Sequence, residues 1–217
     1  MTENIKISNE DNMTLMARYE DNYFDLAIVD PPYGINANKM TLGNGKNKIY
    51  RGENNWDCSI PNAEYFTELK RVSKNQIVWG GNYMTEYLKP TSAWLFWDKG
   101  TGENDFADGE LAWTSYDGAL RKITKSWVGA NAKDGLKRIH PTQKPIYLYE
   151  WILKRFAKKD FKILDTHLGG GGIAIAVYNV NEIDKMNLTL TACELDTKYY
   201  KDATTWIDSQ TNWTSLF

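Results

Sequence analysis

The stretch "FKILDTHLGGGGIAIA", Phe161 to Ala176, decides the fold. Phe161 to Asp165 is a short apolar run that ends on an acid, and it reads as a buried strand. The glycines Gly169 to Gly172 follow, and "IAIAVYNV", Ile173 to Val180, then reads as a helix. Glycine reaches positive φ without steric cost and lets a ligand lie against the main chain. The start of the helix adds unpaired N–H groups beside it. Downstream, "LTLTACE", Leu188 to Glu194, is a second strand ending on an acid, 23 residues after Gly171. In open parallel sheets, ligands bind beyond the carboxyl ends of the strands, and an acid at this place hydrogen-bonds ribose hydroxyls. Gly169, Gly171 and Glu194 therefore predict a site for a nucleoside cofactor.

The rest of the chain keeps the same rhythm. "FDLAIVD" (Phe24 to Asp30), "NQIVWGG" (Asn75 to Gly81) and "SAWLFWDK" (Ser92 to Lys99) read as strands, with "ELAWTS" (Glu110 to Ser115) as a shorter one. "PIYLYEWILKRFAKK" opens on Pro145 and places Ile146, Tyr149, Ile152, Leu153 and Phe156 on one helical face. "TKYYKDATTWIDSQ", Thr197 to Gln210, closes as a helix. Strands alternating with helices predict an α/β fold: a parallel sheet with helices on both faces. A length of 217 residues fits one domain, 1–217. No apolar run reaches membrane-spanning length. "MTENIKISNED" has no apolar signal core, and Cys58 and Cys193 form no spacing pattern, so a reduced, cytoplasmic setting is expected. No metal site is predicted: the acidic stretch from Asp98 to Glu110 lacks EF-hand spacing. Most of the nine tryptophans are read as core.

A second strand end carries its own equipment. In "LAIVDPPYG", Leu26 to Gly34, an aliphatic strand runs into Asp30, Pro31, Pro32 and Tyr33. The prolines fix φ and remove two N–H donors, but their carbonyls remain as acceptors. With the Asp30 carboxylate they form an acceptor cluster, which suits an exocyclic NH2 group. Tyr33 supplies a flat face for a planar base. The pattern predicts a pocket for an amine on an aromatic ring.

On these residues the chain resembles the amino-methylating DNA methyltransferases that use S-adenosyl-L-methionine, in the permuted order called the beta group. Their [DNS]-P-P-[YFW] motif matches Asp30 to Tyr33, and their D-P-F-x-G-S-G-T motif matches "DTHLGGGG", Asp165 to Gly172. "HPTQKP", His140 to Pro145, matches their cofactor-supporting motif; "VWGGNY", "WLFWDK" and "ELAWTS" resemble small phage-type adenine methylases. The resemblance implies a Rossmann-like methyltransferase fold, mostly parallel, with circularly permuted motif order. It implies methyl transfer to N6 of adenine in DNA. N4 of cytosine, and a catalytically decayed DNA-binding relative, are the alternatives. Asp30, Pro31, Pro32 and Tyr33 would form the catalytic motif, Asp30 and the Pro31 carbonyl accepting from the amine and Tyr33 stacking on the base. Asp165, Gly169 and Gly171 would surround the methionine part of the cofactor, with Glu194 on the ribose. Lys144 would help to position the methionine carboxylate, and Asp11 would lie near the adenine. A homodimer in a bacterial or phage-infected cell is the implied setting.

Two departures carry expectations. Thr166 and His167 stand where the family has Pro and Phe, and a charged His167 beside a sulfonium predicts weaker cofactor binding at low pH. Only residues 116–138 fill the place of the usual target-recognition insert, and 34–57 reads as a mobile loop near the target site. Residues 36–52 carry Lys39, Lys46, Lys48 and Arg51 with no acid; 119–139 carry Arg121, Lys122, Lys125, Lys133, Lys137 and Arg138 against Asp134. These segments hold +4 and +5 of a total of −2, which leaves the remainder near −11. Two basic segments on an acidic body predict DNA contact there, through Lys39, Lys46, Lys48, Arg51, Arg121, Lys122 and Lys125.

Overall fold

A computed structural model describes residues 3–35, 57–100, 107–125, 139–140 and 142–211. In chain order the elements are β1 (Ile5–Asn9), α1 (Asn12–Met16), β2 (Leu26–Val29), α2 (Ala63–Val72) and β3 (Gln76–Trp79). A one-turn 3-10 helix, Gly81–Tyr83, precedes β4 (Leu95–Asp98), β5 (Gly109–Thr114) and β6 (Arg121–Thr124). Then come α3 (Ile146–Phe156), β7 (Lys162–Asp165), α4 (Gly172–Asp184), β8 (Thr189–Glu194) and α5 (Thr197–Thr211). The strands form one sheet in the order β1-β8-β7-β2-β3-β5-β4-β6. β5 runs antiparallel to both neighbours, and the other pairings are parallel.

Strand alternation divides the core. Leu26 and Ile28 of β2 face one layer, with Ile77 and Trp79 of β3, Leu148, Ile152 and Leu153 of α3, and Ile173 and Val177 of α4. Ala27 and Val29 face the other, with Leu15 and Met16 of α1 and Tyr65, Phe66, Leu69 and Val72 of α2. All four β2 side chains are buried, which explains its unbroken apolar run. Full burial of each large one contributes about 1.5–3 kcal/mol, so β2 is a rigid base for the turn that follows.

Sequence patterning misses some elements. β1 ("IKISN") is half-exposed and polar at alternate positions, and β6 ("RKIT") is exposed at the sheet edge. α2 does carry an amphipathic stripe, and Asn62 caps it by accepting from the Tyr65 N–H at 3.0 Å. The strand expected to run through Gly81 ends at Trp79, because Gly80 takes φ +66 and turns the chain. No helix among the described residues is long and apolar enough to cross a membrane.

Candidate active site

β2 and β7 lie side by side and parallel, with Leu26 opposite Ile163 and Ala27 opposite Leu164. Asp30 and Thr166 follow their carboxyl ends, so the two predicted strand-end sites share one edge of the sheet. β8 is next to β7, which brings Glu194 to the same edge.

On the cofactor side, Gly169 and Gly171 take φ +53 and +78, where a side chain would strain the loop. Oε2 of Glu194 accepts the Gly169 N–H at 2.8 Å, and Oε1 accepts the Asp196 N–H at 2.9 Å. Oδ1 of Asp165 accepts the His167 N–H at 2.9 Å. Burial pushes the Asp165 carboxyl up to about 8. Asp11 ends up as the N-cap of α1, its Oδ1 accepting from the N–H groups of Met13 and Thr14 at 2.9 and 3.2 Å. It follows β1, whose Asn9 pairs with Glu194, so it stands on the same edge.

His167 is fastened on both nitrogens. Asn12 Nδ2 lies 3.1 Å from Nε2, and Thr166 Oγ1 lies 2.9 Å from Nδ1. Because an amide nitrogen only donates, Nε2 accepts, and the ring proton sits on Nδ1 and donates to Thr166. The Tyr65 hydroxyl extends the chain, 2.7 Å from Thr166 Oγ1. Burial holds the imidazole down at about 4. At that value the imidazole is mostly neutral from pH 5.5 to 8, against the low-pH charge expected from sequence.

On the amine side the structure adds residues that the motif does not contain. Asp57, almost fully buried, accepts the N–H groups of Tyr33 and Gly34 on one oxygen, at 2.7 and 2.9 Å. These are the first N–H donors after the two prolines, so Asp57 pins the turn where the prolines cannot. The Tyr33 ring lies close over Gly80, where a Cβ would come within 2.2 Å of it. It also stacks on Tyr83, with centroids 5.2 Å apart and planes 17° off parallel. Tyr83 is 46% exposed, so it carries the aromatic surface of Tyr33 out to solvent.

The centre of the site is Lys144, whose side chain is 2% exposed. Its Nζ lies 2.6 Å from Asp30 Oδ1, 3.1 Å from Glu110 Oε2 and 3.0 Å from the Tyr33 hydroxyl oxygen. These three acceptors use all three ammonium protons. These contacts place Lys144 beside Asp30 and Glu110. Tyr33 gives its single hydroxyl proton to Asp30 Oδ1 at 2.8 Å, shorter than its 3.3 Å approach to Glu110. Glu110 Oε1 also receives Lys99 Nζ at 2.7 Å. Burial raises the Asp30 carboxyl, and Lys144 works against it. Burial also acts on Glu110, but Lys144 and Lys99 outweigh it and hold the carboxyl down at about 2. Burial alone would discharge Lys144; Asp30 and Glu110 keep it an ammonium.

Among the expected DNA contacts, Lys39, Lys46, Lys48 and Arg51 lie outside the described residues, as do Lys133, Lys137 and Arg138. Lys122 is paired with Asp98 at 2.7 Å. Arg121 starts β6 at the opposite sheet edge from Asp30, where it lines a cavity of about 340 Å³ with Arg155 and Asp117. Lys125, just past the other end of β6, stands over the Tyr147 ring at 4.0 Å on the site's edge. The basic segment is thereby split between the two edges.

No protein-family model matches the chain. Its sequence is similar to the type II methyltransferase M2.MboI of Moraxella bovis, at 24% identity over 93% of the chain and 89% of the relative. Its structure is similar to M1.HpyAVI in complex with SAM, with a TM-score of 0.58, 16% identity, and coverage of 93% and 98%. It is also similar to the PvuII DNA methyltransferase, described as cytosine-N4-specific, with a TM-score of 0.57, 14% identity, and coverage of 98% and 93%. The chain has the mixed α/β fold, with a mostly parallel sheet, of these methyltransferase structures.

Proposed function

We propose that this chain is an S-adenosylmethionine-dependent DNA methyltransferase acting on the exocyclic N6 of adenine. The observation that carries the reading is the adjacency of β2 and β7: an amine-acceptor turn and a glycine-loop nucleoside site at one sheet edge. Likeness to M2.MboI and to the SAM complex of M1.HpyAVI supports it.

The residues present suit the cofactor. Glu194 offers carboxylate oxygens to ribose hydroxyls, and Leu195 beside it is 69% exposed, an apolar surface for a purine. Asp165 suits the positive charge of the methionine part, because a cation beside it favours its ionised form. When bound, S-adenosylmethionine supplies a methyl group on a sulfonium, whose transfer to nitrogen leaves a neutral thioether. The chain's own residues do the rest. Asp30 has Oδ1 engaged by Lys144 and Tyr33, while Oδ2 has no partner among the described residues. Oδ2 and the Pro31 carbonyl accept the two amine hydrogens. This favours a pyramidal nitrogen and stabilises the positive charge that develops as the bond forms. The nitrogen then loses one proton to water. Holding amine and methyl in line supplies much of the acceleration. An everted base costs a few kcal/mol to unstack, and the Tyr33–Tyr83 surface offsets about 1–3 kcal/mol of this.

The test is incubation with labelled S-adenosylmethionine and DNA, followed by mass spectrometry of the nucleosides. N6-methyladenine is the expected product. N4-methylcytosine, the second reading, is favoured by the likeness to the PvuII enzyme and would overturn the choice of base. DNA that stays unmethylated would overturn the whole reading.

His167 yields a further prediction. With its midpoint near pH 4 it is almost wholly neutral by pH 5.5, so it adds little to the pH dependence of cofactor binding between pH 5.5 and 8. Asp165, raised to about 8, titrates across that window in any variant that keeps it. The ratio of cofactor dissociation constants at pH 5.5 and 8 is therefore expected to be the same for the unmodified chain and His167→Phe. Calorimetric titration checks it; a steeper loss at pH 5.5 in the unmodified chain alone contradicts it.

A further inference from the structure

Glu110 belongs to neither of the two motif-bearing strand ends. It is the second residue of β5, the antiparallel strand, and reaches the site because that strand's first residues lie at the edge where β2, β3 and β4 end. Its contacts are one-sided: Lys99 on Oε1, with Lys144 and the Tyr33 hydroxyl on Oε2. Asp30, Glu110, Lys144 and Lys99 form a group of two anions and two cations, closed by Tyr33. Such a group tolerates burial because each charge has a partner of opposite sign.

We infer that Glu110 is a positioning residue: by taking one proton of the Lys144 ammonium, it confines that ammonium to Oδ1 of Asp30 and leaves Oδ2 for the target amine. The inference rests on the methyltransferase reading. Its physical reason is the count of donors. An ammonium facing one carboxylate alone is drawn to bridge both oxygens, and Oδ2 would then be partly spent. A second carboxylate takes one of the three protons and turns the ammonium aside. Lys99 in turn anchors Glu110 by its other oxygen, so Glu110 cannot swing fully onto Lys144.

The groups facing Asp30 are Lys144, Glu110, Tyr33, Tyr149 and Asp165. Among them, the negative charge of Glu110 raises the Asp30 carboxyl. Glu110→Gln keeps the shape and removes that charge. The Asp30 midpoint, followed by carbon-13 carboxyl NMR, is expected to move to lower pH. The acid limb of kcat should move with it, and kcat at neutral pH should fall about tenfold to a hundredfold. Cofactor affinity should hold, and Glu110→Asp should recover part of the loss. A second variant, Lys99→Gln, removes a cation and keeps Glu110, so it should move the midpoint up. An Asp30 midpoint that stays put or rises in Glu110→Gln overturns the inference, as does a fall in Lys99→Gln. If Glu110→Gln fails to fold, Lys99→Gln carries the test. The NMR midpoints need no turnover: a chain that leaves DNA unmethylated fails the functional reading, while the midpoints still judge the coupling.

Discussion

Asp30→Ala should cut methyl transfer by about 10²–10³-fold while cofactor affinity stays near that of the unmodified chain. The asymmetry follows from the layout. Glu194, Asp165 and the glycine loop hang from β7 and β8, whereas Asp30 hangs from β2, and the residue removed touches none of the cofactor side by hydrogen bond. Only an interaction stronger in the transition state than in the ground state accelerates the reaction, and the Asp30 acceptor is of that kind, because the amine hydrogens carry more positive charge as the bond forms. Asp30→Asn sharpens the test, since it keeps an acceptor oxygen but no charge. It should fall between the two. Single-turnover kinetics with calorimetric cofactor titration separate the effects. An alanine variant within tenfold of normal turnover would remove Asp30 from the mechanism.

The second large effect is on stability. Lys144→Met leaves Asp30 and Glu110 without their shared cation, and an uncompensated buried charge costs about 3–5 kcal/mol. For a chain of this size each kcal/mol moves the melting temperature by about 2–4 °C, so a fall of about 6–20 °C is expected near pH 7. The pH dependence has a definite sign. Glu110, held at about 2 against an ordinary 4.5, contributes stability above pH 4.5 and loses it as pH falls toward 2. Without Lys144 that contribution shrinks to the part Lys99 supplies, so the gap between the two proteins should narrow on acidification below about pH 4.5. Calorimetric scans at pH 7 and pH 4 check it. A gap that stays the same at both pH values would mean that Lys144 stabilises the chain by packing alone. Lys144→Arg is no rescue, because a planar guanidinium cannot reproduce three converging bonds from one nitrogen.

Much of the architecture is legible in sequence because burial leaves a period. β2, β3, β7 and β8 are apolar runs, and α3, α4 and α5 keep an apolar stripe. β1 and β6 were not legible, since exposure at the sheet margins removes the signal that burial writes. The direction of β5 was equally hidden, because alternation is the same read either way. That hidden reversal is why Glu110 was missed. Its signal was there: a carboxylate at the first of the alternating positions Glu110, Ala112 and Thr114, the latter two buried. Asp57 was missed for another reason. Its partners are backbone N–H groups, 23 and 24 residues earlier, and no side-chain motif announces a carboxylate that serves a turn.

The grip of Asp57 on that turn has a consequence for how such a chain tolerates change. Gly34 also lies against the backbone of Ser59 and Ile60, so the two ends of the intervening stretch meet at a knot of short contacts. Closing a longer span between tied ends costs little, since each doubling adds only about 0.6 kcal/mol. Segments of different length between these tied ends would leave the turn after β2 in register, which makes this knot a natural port for inserted sequence.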